Sequence, residues 1–135
     1  MKRASKKPKM PRQNLSCGID VVEILRFGEA VERGGQRFLD RIFTPQEAAY
    51  AARRKRTSIL HLAARFAAKE AAIKALSQLD PESVPVFRQI EVENDALGRP
   101  SIRFHDARRR GITLSVSLTH TEHTAAAIVV AQRHG

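Results

Sequence analysis

The chain has 135 residues, enough for one domain with a buried core and too few for two of ordinary size. Its net charge of +10 points to an anionic partner, yet Lys2, Arg3, Lys6, Lys7, Lys9 and Arg12 all lie ahead of the first acid, Asp20. The single cysteine, Cys17, excludes an internal disulfide framework, and no stretch reaches the roughly 18–20 apolar residues of a membrane span.

Residues 1–16 are basic, polar and proline-containing. They bury too little apolar surface to offset ordering, so a disordered tail is expected ahead of a single domain at 17–135. Without the tail, 18 basic residues face 14 acidic ones. No apolar run suits a secretory signal and the one cysteine fits a reducing compartment, so a cytoplasmic location is expected.

Cys17 to Ile24 (CGIDVVEI) is apolar and β-branched and reads as a short buried strand carrying Asp20. Leu25 to Glu32 predicts a short helix closed by Gly34 and Gly35, and RFLDRIF from Arg37 adds a further helical turn or two. Thr44, Pro45 and Glu47 form an N-cap, a proline at the first helical position and a capping-box acid, so a helix runs from Pro45 to about Arg54. Thr57 or Ser58 caps a long alanine-rich helix to about Leu79, followed by a loop marked by Pro81 and Pro85. Phe87–Glu93 and Ser101–Phe104 read as a hairpin across DALGRP, and Thr113–Thr119 and Thr124–Ala131 as two more strands joined by a turn at 120–123. Helices early and antiparallel strands late predict an α+β fold with helices on one sheet face.

Leu62, Phe66, Glu70, Ile73 and Leu76 recur at helical spacing, which places Glu70 on the apolar face of the long helix. A carboxylate removed from water needs a partner, a proton or a cation. One reading is an i,i+4 pair with Lys74, worth about 0.3–0.5 kcal/mol. The other joins Asp20 and Glu70 as two hard-oxygen ligands for magnesium, which completes its shell with water and substrate phosphate. Arg65, Lys69 and Lys74 along the same helix then either hold a polyphosphate or form a solvated basic face.

His120, Glu122 and His123 lack a further zinc ligand nearby, and His120 serves equally as a satisfied core histidine. Ser115 and Ser117 lack a nucleophile elbow, and the chain has neither a Walker loop nor a GxGxxG. One tyrosine and no tryptophan leave no stacking patch, so nucleic acid is disfavoured as a partner.

Four segments together resemble the short, carrier-protein-synthase type of 4'-phosphopantetheinyl transferase. They are GIDVVEI at Gly18, RFAAKEAAIKAL at Arg65, IEVENDALGRP at Ile90 and SVSLTHTEHTAAAIVV at Ser115. The resemblance implies a phosphopantetheinyl transferase-like fold, with an antiparallel sheet packed on a long helix. It implies transfer of the 4'-phosphopantetheine arm from coenzyme A to a serine of an acyl carrier protein, a step of fatty acid biosynthesis and lipid metabolism, with release of adenosine 3',5'-bisphosphate.

By that resemblance Asp20 and Glu70 match the magnesium-binding acids and Lys74 the lysine near the transferred phosphate. Arg65, Lys69 and His120 match positions lining the coenzyme A site, with Gly98, Arg99 and Pro100 near its nucleotide end. Arg26, Arg37 and Arg41 match the basic surface that receives the carrier. Glu70, directly or through metal-bound water, is the candidate base, with the water-mediated version preferred. Homotrimers with active sites at subunit junctions are a further implication.

This chain departs from the family pattern at SQLDPESVPVF, Ser77 to Phe87, where relatives carry a glycine-rich loop; only the aromatic, Phe87, is kept. A different class of function, a non-catalytic module that binds a polyanion or a carrier through the basic tail, is separated by deleting residues 1–16, which should leave transfer intact and abolish polyanion binding.

Overall fold

The computed structural model describes residues 12–106, 109 and 111–135, so the expected basic tail lies outside the described residues as far as residue 11. Strand β1 spans Leu15–Glu23 and begins two residues earlier than expected. Its start is held by the final strand: Leu15 pairs with Gln132, and the Arg133 amide donates to the Asn14 carbonyl.

Helix α1 runs Ile24–Ile42, so the chain does not stop at the glycines but bends there, with Gly35 at φ 58°, ψ −149°. A side chain is rarely accommodated in that conformation, and the Gly34–Gly35 break is a kink that turns the axis. Helix α2, Pro45–Ala52, opens on the expected capping box, in which Thr44 Oγ1 accepts from the Glu47 amide and the Glu47 carboxylate accepts from the Thr44 amide. Helix α3, Ser58–Leu79, has the expected length. With no glycine after residue 76 to end it, the helix continues through Ser77 to Leu79, whose carbonyl accepts from Arg133 at 2.6 Å.

Phe87–Gln89 is a single 3-10 turn rather than the start of a strand, and β2 occupies Ile90–Asn94. It pairs antiparallel with β3, Pro100–Phe104, as the expected hairpin. Strands β4, Ile112–His120, and β5, Thr124–Arg133, are each longer than the sequence suggested, and His120 belongs to the strand rather than the turn. The strands form two sheets: three strands in the order β1-β5-β4, all antiparallel, and the separate β2-β3 hairpin.

Helix α3 lies on the inner face of the three-stranded sheet, against β1 and β5. The predicted stripe is only partly right, since Leu62 and Leu76 are buried while Phe66, Glu70 and Ile73 are half-buried. The deepest face is alanine: Ala63, Ala67, Ala68, Ala71, Ala72 and Ala75 are all fully buried. Small side chains let strand and helix backbones approach closely, which large apolar residues at those positions would prevent. Phe66 then faces sideways into a cluster with Phe27 and Phe87, ring centroids 5.3 and 5.8 Å apart, and that cluster seats α1 on α3.

Candidate active site

Two clefts open on the two flanks of α3. On the β1 flank, a cavity of about 570 Å³ is lined by Asp20, Glu23, Arg26, Phe27, Phe38, Phe66 and Glu70, among others. Asp20 reaches it because it shares the inner face of β1 with Gly18 and Val22. Burial first, and then the charge of Asp20, hold the Glu70 carboxyl above its usual range, while Lys74 pulls it back. Asp20 and Glu70 thus line the same cleft, and the charge of Asp20 is felt at Glu70.

The Lys74 ammonium crosses to β1, donating to the Ile19 carbonyl at 3.0 Å and to Asp20 Oδ1 at 3.2 Å. The simple i,i+4 reading with Glu70 is thus replaced by a bridge between helix and strand. Among the described residues no group of three or more His, Cys, Asp and Glu side chains gathers as a metal site. Two carboxylates suit a cation that keeps water and substrate oxygens in its shell, as magnesium does, and do not suit a closed zinc site.

On the β4 flank, a second cavity of about 390 Å³ takes Tyr50 from α2, His61 and Arg65 from α3, Asn94, Gly98 and Pro100 from the hairpin, and His120 from β4. Arg65 is 3% exposed; it donates to Asn94 Oδ1 at 2.6 Å, and its guanidinium carbon lies 3.9 Å from the Tyr50 ring centroid. Its Nε is buried and has no hydrogen-bond partner among the described residues. Arg54 stacks on the same tyrosine at 3.5 Å. Burial, and then the charges of Arg65, Arg54 and His120, lower the pKa of His61, so the cleft already carries positive potential.

The turn that presents Gly98 (φ 79°) and Pro100 is set by Asp95, which accepts from the Leu97 and Arg99 amides. Arg99 itself turns back onto Asp95 at 2.7 Å and is absent from the cleft lining.

Lys69 requires a correction. It was expected to line the cofactor site, but it has no exposed surface, and its ammonium is bound to Glu47 Oε1 at 2.5 Å. The helical wheel explains why: Lys69 lies between the two clefts and under α2. Arg26, Arg37 and Arg41 are all exposed on α1, on either side of the kink, with Arg26 at the rim of the acidic cleft.

The predicted residues thus fall into two groups, Asp20, Glu70 and Lys74 on one flank and Arg65, Gly98, Pro100 and His120 on the other. Five residues from Arg65 to Glu70 turn the helix by about 140° beyond a full revolution, which separates the flanks. Sequence reasoning missed Tyr50, His61, Asn94 and Glu47. His61 was legible, since it stands one turn before Arg65 on the same face; Tyr50 and Asn94 enter only through tertiary contact.

A model of the 4'-phosphopantetheinyl transferase superfamily matches residues 16–129. A holo-[acyl-carrier-protein] synthase of Geobacter sulfurreducens is 42% identical over 122 residues, covering 86% of this chain and 95% of the relative. The crystal structure of the holo-[acyl-carrier-protein] synthase from Neisseria meningitidis superimposes with a TM-score of 0.76 at 35% identity, covering 87% of this chain and 98% of that one. The Helicobacter pylori synthase in complex with coenzyme A gives 0.71 at 32% identity, covering 86% and 99%.

Proposed function

The chain belongs to the 4'-phosphopantetheinyl transferase superfamily, and from that premise we propose that it is a magnesium-dependent holo-[acyl-carrier-protein] synthase, moving the 4'-phosphopantetheine arm of coenzyme A to a serine of an apo-acyl carrier protein. The observation that carries the reading is the Asp20–Glu70 carboxylate pair in one cleft, with Lys74 bridging to it. A structural helix gains little from such a pair, whereas phosphoryl transfer needs it.

Magnesium fits this donor set, and when bound it supplies charge neutralisation to the diphosphate. The chain's own residues do the rest. The serine Oγ attacks the phosphorus on the pantetheine side; the bond from that phosphorus to the bridging oxygen breaks, and its electron pair leaves with adenosine 3',5'-bisphosphate. Glu70 receives the serine proton through an intervening water. Lys74 stands beside Asp20, where it stabilises charge on the transferred phosphoryl group. Arg65, His120 and the backbone at Gly98 and Pro100 hold the phosphorylated nucleotide, with Tyr50 and Asn94 fixing Arg65. The exposed arginines Arg26, Arg37 and Arg41 receive an acidic carrier beside the acid pair.

A coenzyme A that meets both groups draws them from two copies of the chain, because the clefts lie on opposite flanks. The outer sheet face supports such an assembly: Ile19 and Val21 are about 60% exposed, and Leu15, Ile128 and Val130 extend the patch. The reading is therefore a homotrimer with sites at the subunit junctions, acting in the cytoplasm. No helix among the described residues is long and apolar enough to cross a membrane.

The test is incubation with apo carrier, coenzyme A and magnesium, followed by the mass of the carrier. The expected gain is one phosphopantetheine; no gain across several cognate carriers refutes the reading. Glu70→Gln and Asp20→Asn should each abolish the gain while remaining folded, and full activity in either removes it from the metal assignment.

A further inference from the structure

Glu47 and Lys69 form a buried ion pair for which the transfer reaction has no direct use. Glu47 is 1% exposed and Lys69 fully enclosed. The Glu47 carboxylate makes three ties on three elements. Its Oε1 accepts from the Thr44 amide at the head of α2 (2.9 Å) and from Lys69 Nζ on α3 (2.5 Å); its Oε2 accepts from the Val92 amide on β2 at 2.8 Å.

Each tie lies one turn or one pleat from a residue of the nucleotide cleft. Tyr50 follows Glu47 by three on α2, Arg65 precedes Lys69 by four on α3, and Asn94 follows Val92 by two on β2. Those three lining residues also touch through Arg65, which stacks on Tyr50 and donates to Asn94. The neighbouring acid, Glu91, has partners of its own, Thr44 Oγ1 at 2.5 Å and Arg103 at 3.1 Å.

The packing around Lys69 gives the pair its significance. Helix α3 buries alanines, which pack closely but offer few projections to fix its rotation. A buried ion pair adds little net stability over an apolar pair of the same shape, and its best-attested use is to specify register.

We propose that Glu47 and Lys69 are positioning residues that clasp α2, α3 and β2 in the one register that assembles Tyr50, Arg65 and Asn94 into a nucleotide cleft. This rests on reading that cleft as the seat of coenzyme A's phosphorylated nucleotide. Lys69 serves the cofactor without touching it.

Glu47→Gln tests this, because it leaves Lys69 in place. Were Lys69 a direct ligand, releasing it from Glu47 would not weaken cofactor binding. As a clasp, its loss raises KM for coenzyme A by on the order of tenfold or more, with kcat and KM for the carrier within about twofold of wild type. Titration calorimetry with adenosine 3',5'-bisphosphate should show the same weakening. The double variant Glu47→Gln/Lys69→Met, which leaves no unpaired charge, should fold and show it too. Wild-type KM for coenzyme A in either folded variant overturns the inference, as does failure of both to fold, which would make the pair an element of stability alone. A wild-type protein that neither binds the bisphosphate nor modifies a carrier sinks the functional reading instead.

Discussion

Gly18→Ala probes the close approach of β1 to the backbone of α3. A Cβ at Gly18 would sit 2.0 Å from the Ala71 carbonyl oxygen and 2.9 Å from the Ala75 amide nitrogen, both backbone atoms of α3. A carbon and an oxygen settle at about 3.3 Å or more, so strand and helix must part by about 1.3 Å. Neither atom belongs to a side chain that could swing aside, which places the penalty near the upper end of the usual ~1–3 kcal/mol for overpacking. With about 2.1 cal/mol/K of unfolding entropy per residue over about 120 residues, 3 kcal/mol lowers Tm by about 12 °C. Asp20 shares the inner face of β1 with Gly18 and moves with the strand, while Glu70 stays with the helix. The variant should therefore also lose stabilisation by magnesium, read as the difference in melting temperature with and without the ion. Gly28→Ala, within α1, is the control: the nearest neighbour of the added Cβ is the Ile59 side-chain methyl on α3 at 3.5 Å, an ordinary contact, so it should stabilise by about 0.5–1 kcal/mol. Gly18→Ala melting within about 2 °C of wild type, with an unchanged magnesium response, would refute the close-approach argument.

Burial and Asp20 raise the Glu70 pKa, so the folded chain holds that proton more tightly than the unfolded one, and metal-free stability falls as pH climbs from the ordinary carboxylate value through the folded value. Glu70→Gln should remove that loss, melting above wild type at neutral pH without metal and level with it below about pH 4; an unchanged difference across that window counts against the shift. Arg65→Met removes the cleft's buried cation and should raise KM for coenzyme A while leaving KM for the carrier unchanged, measured by varying each substrate in turn. Mixing Glu70→Gln with Arg65→Met after unfolding and co-refolding, assayed at a coenzyme A concentration too low for Arg65→Met to turn over by itself, should restore about one quarter of wild-type activity, since a quarter of shared junctions combine two intact halves; no restoration would place both halves in one subunit. Ile128→Asp puts a charge in the exposed sheet face and should yield monomers by sedimentation, with activity lost; an intact assembly argues that this face is not the interface.

The parts of the site legible in the sequence are those in which one residue type is forced by local chemistry. Asp20 in a β-branched run and Glu70 on an apolar helix face are each costly unless paired, and the structure lines one cleft with both. Thr44, Pro45 and Glu47 announced α2 because capping is decided within four residues. The glycines at 34 and 35 were read as an end and proved a kink, because the apolar pattern resumes at Phe38 and Leu39 and packing carries the helix on to Ile42.

What the sequence hid is the rotation of α3. Counting large apolar residues gave a stripe through Phe66 and Ile73, but the sheet selected the alanine face instead, because Gly18 lets β1 press directly on the helix backbone. That rotation places Lys69 under α2 rather than in a cleft and sends Arg65 and Glu70 to different flanks. A capping residue then acquires a second role: Glu47, recognisable from sequence only as the acid of a capping box, is also the counter-ion of the enclosed lysine and the acceptor for Val92. Local rules can show that an acid caps a helix, whereas its ties to another helix and to a strand arise only when the chain has folded around it.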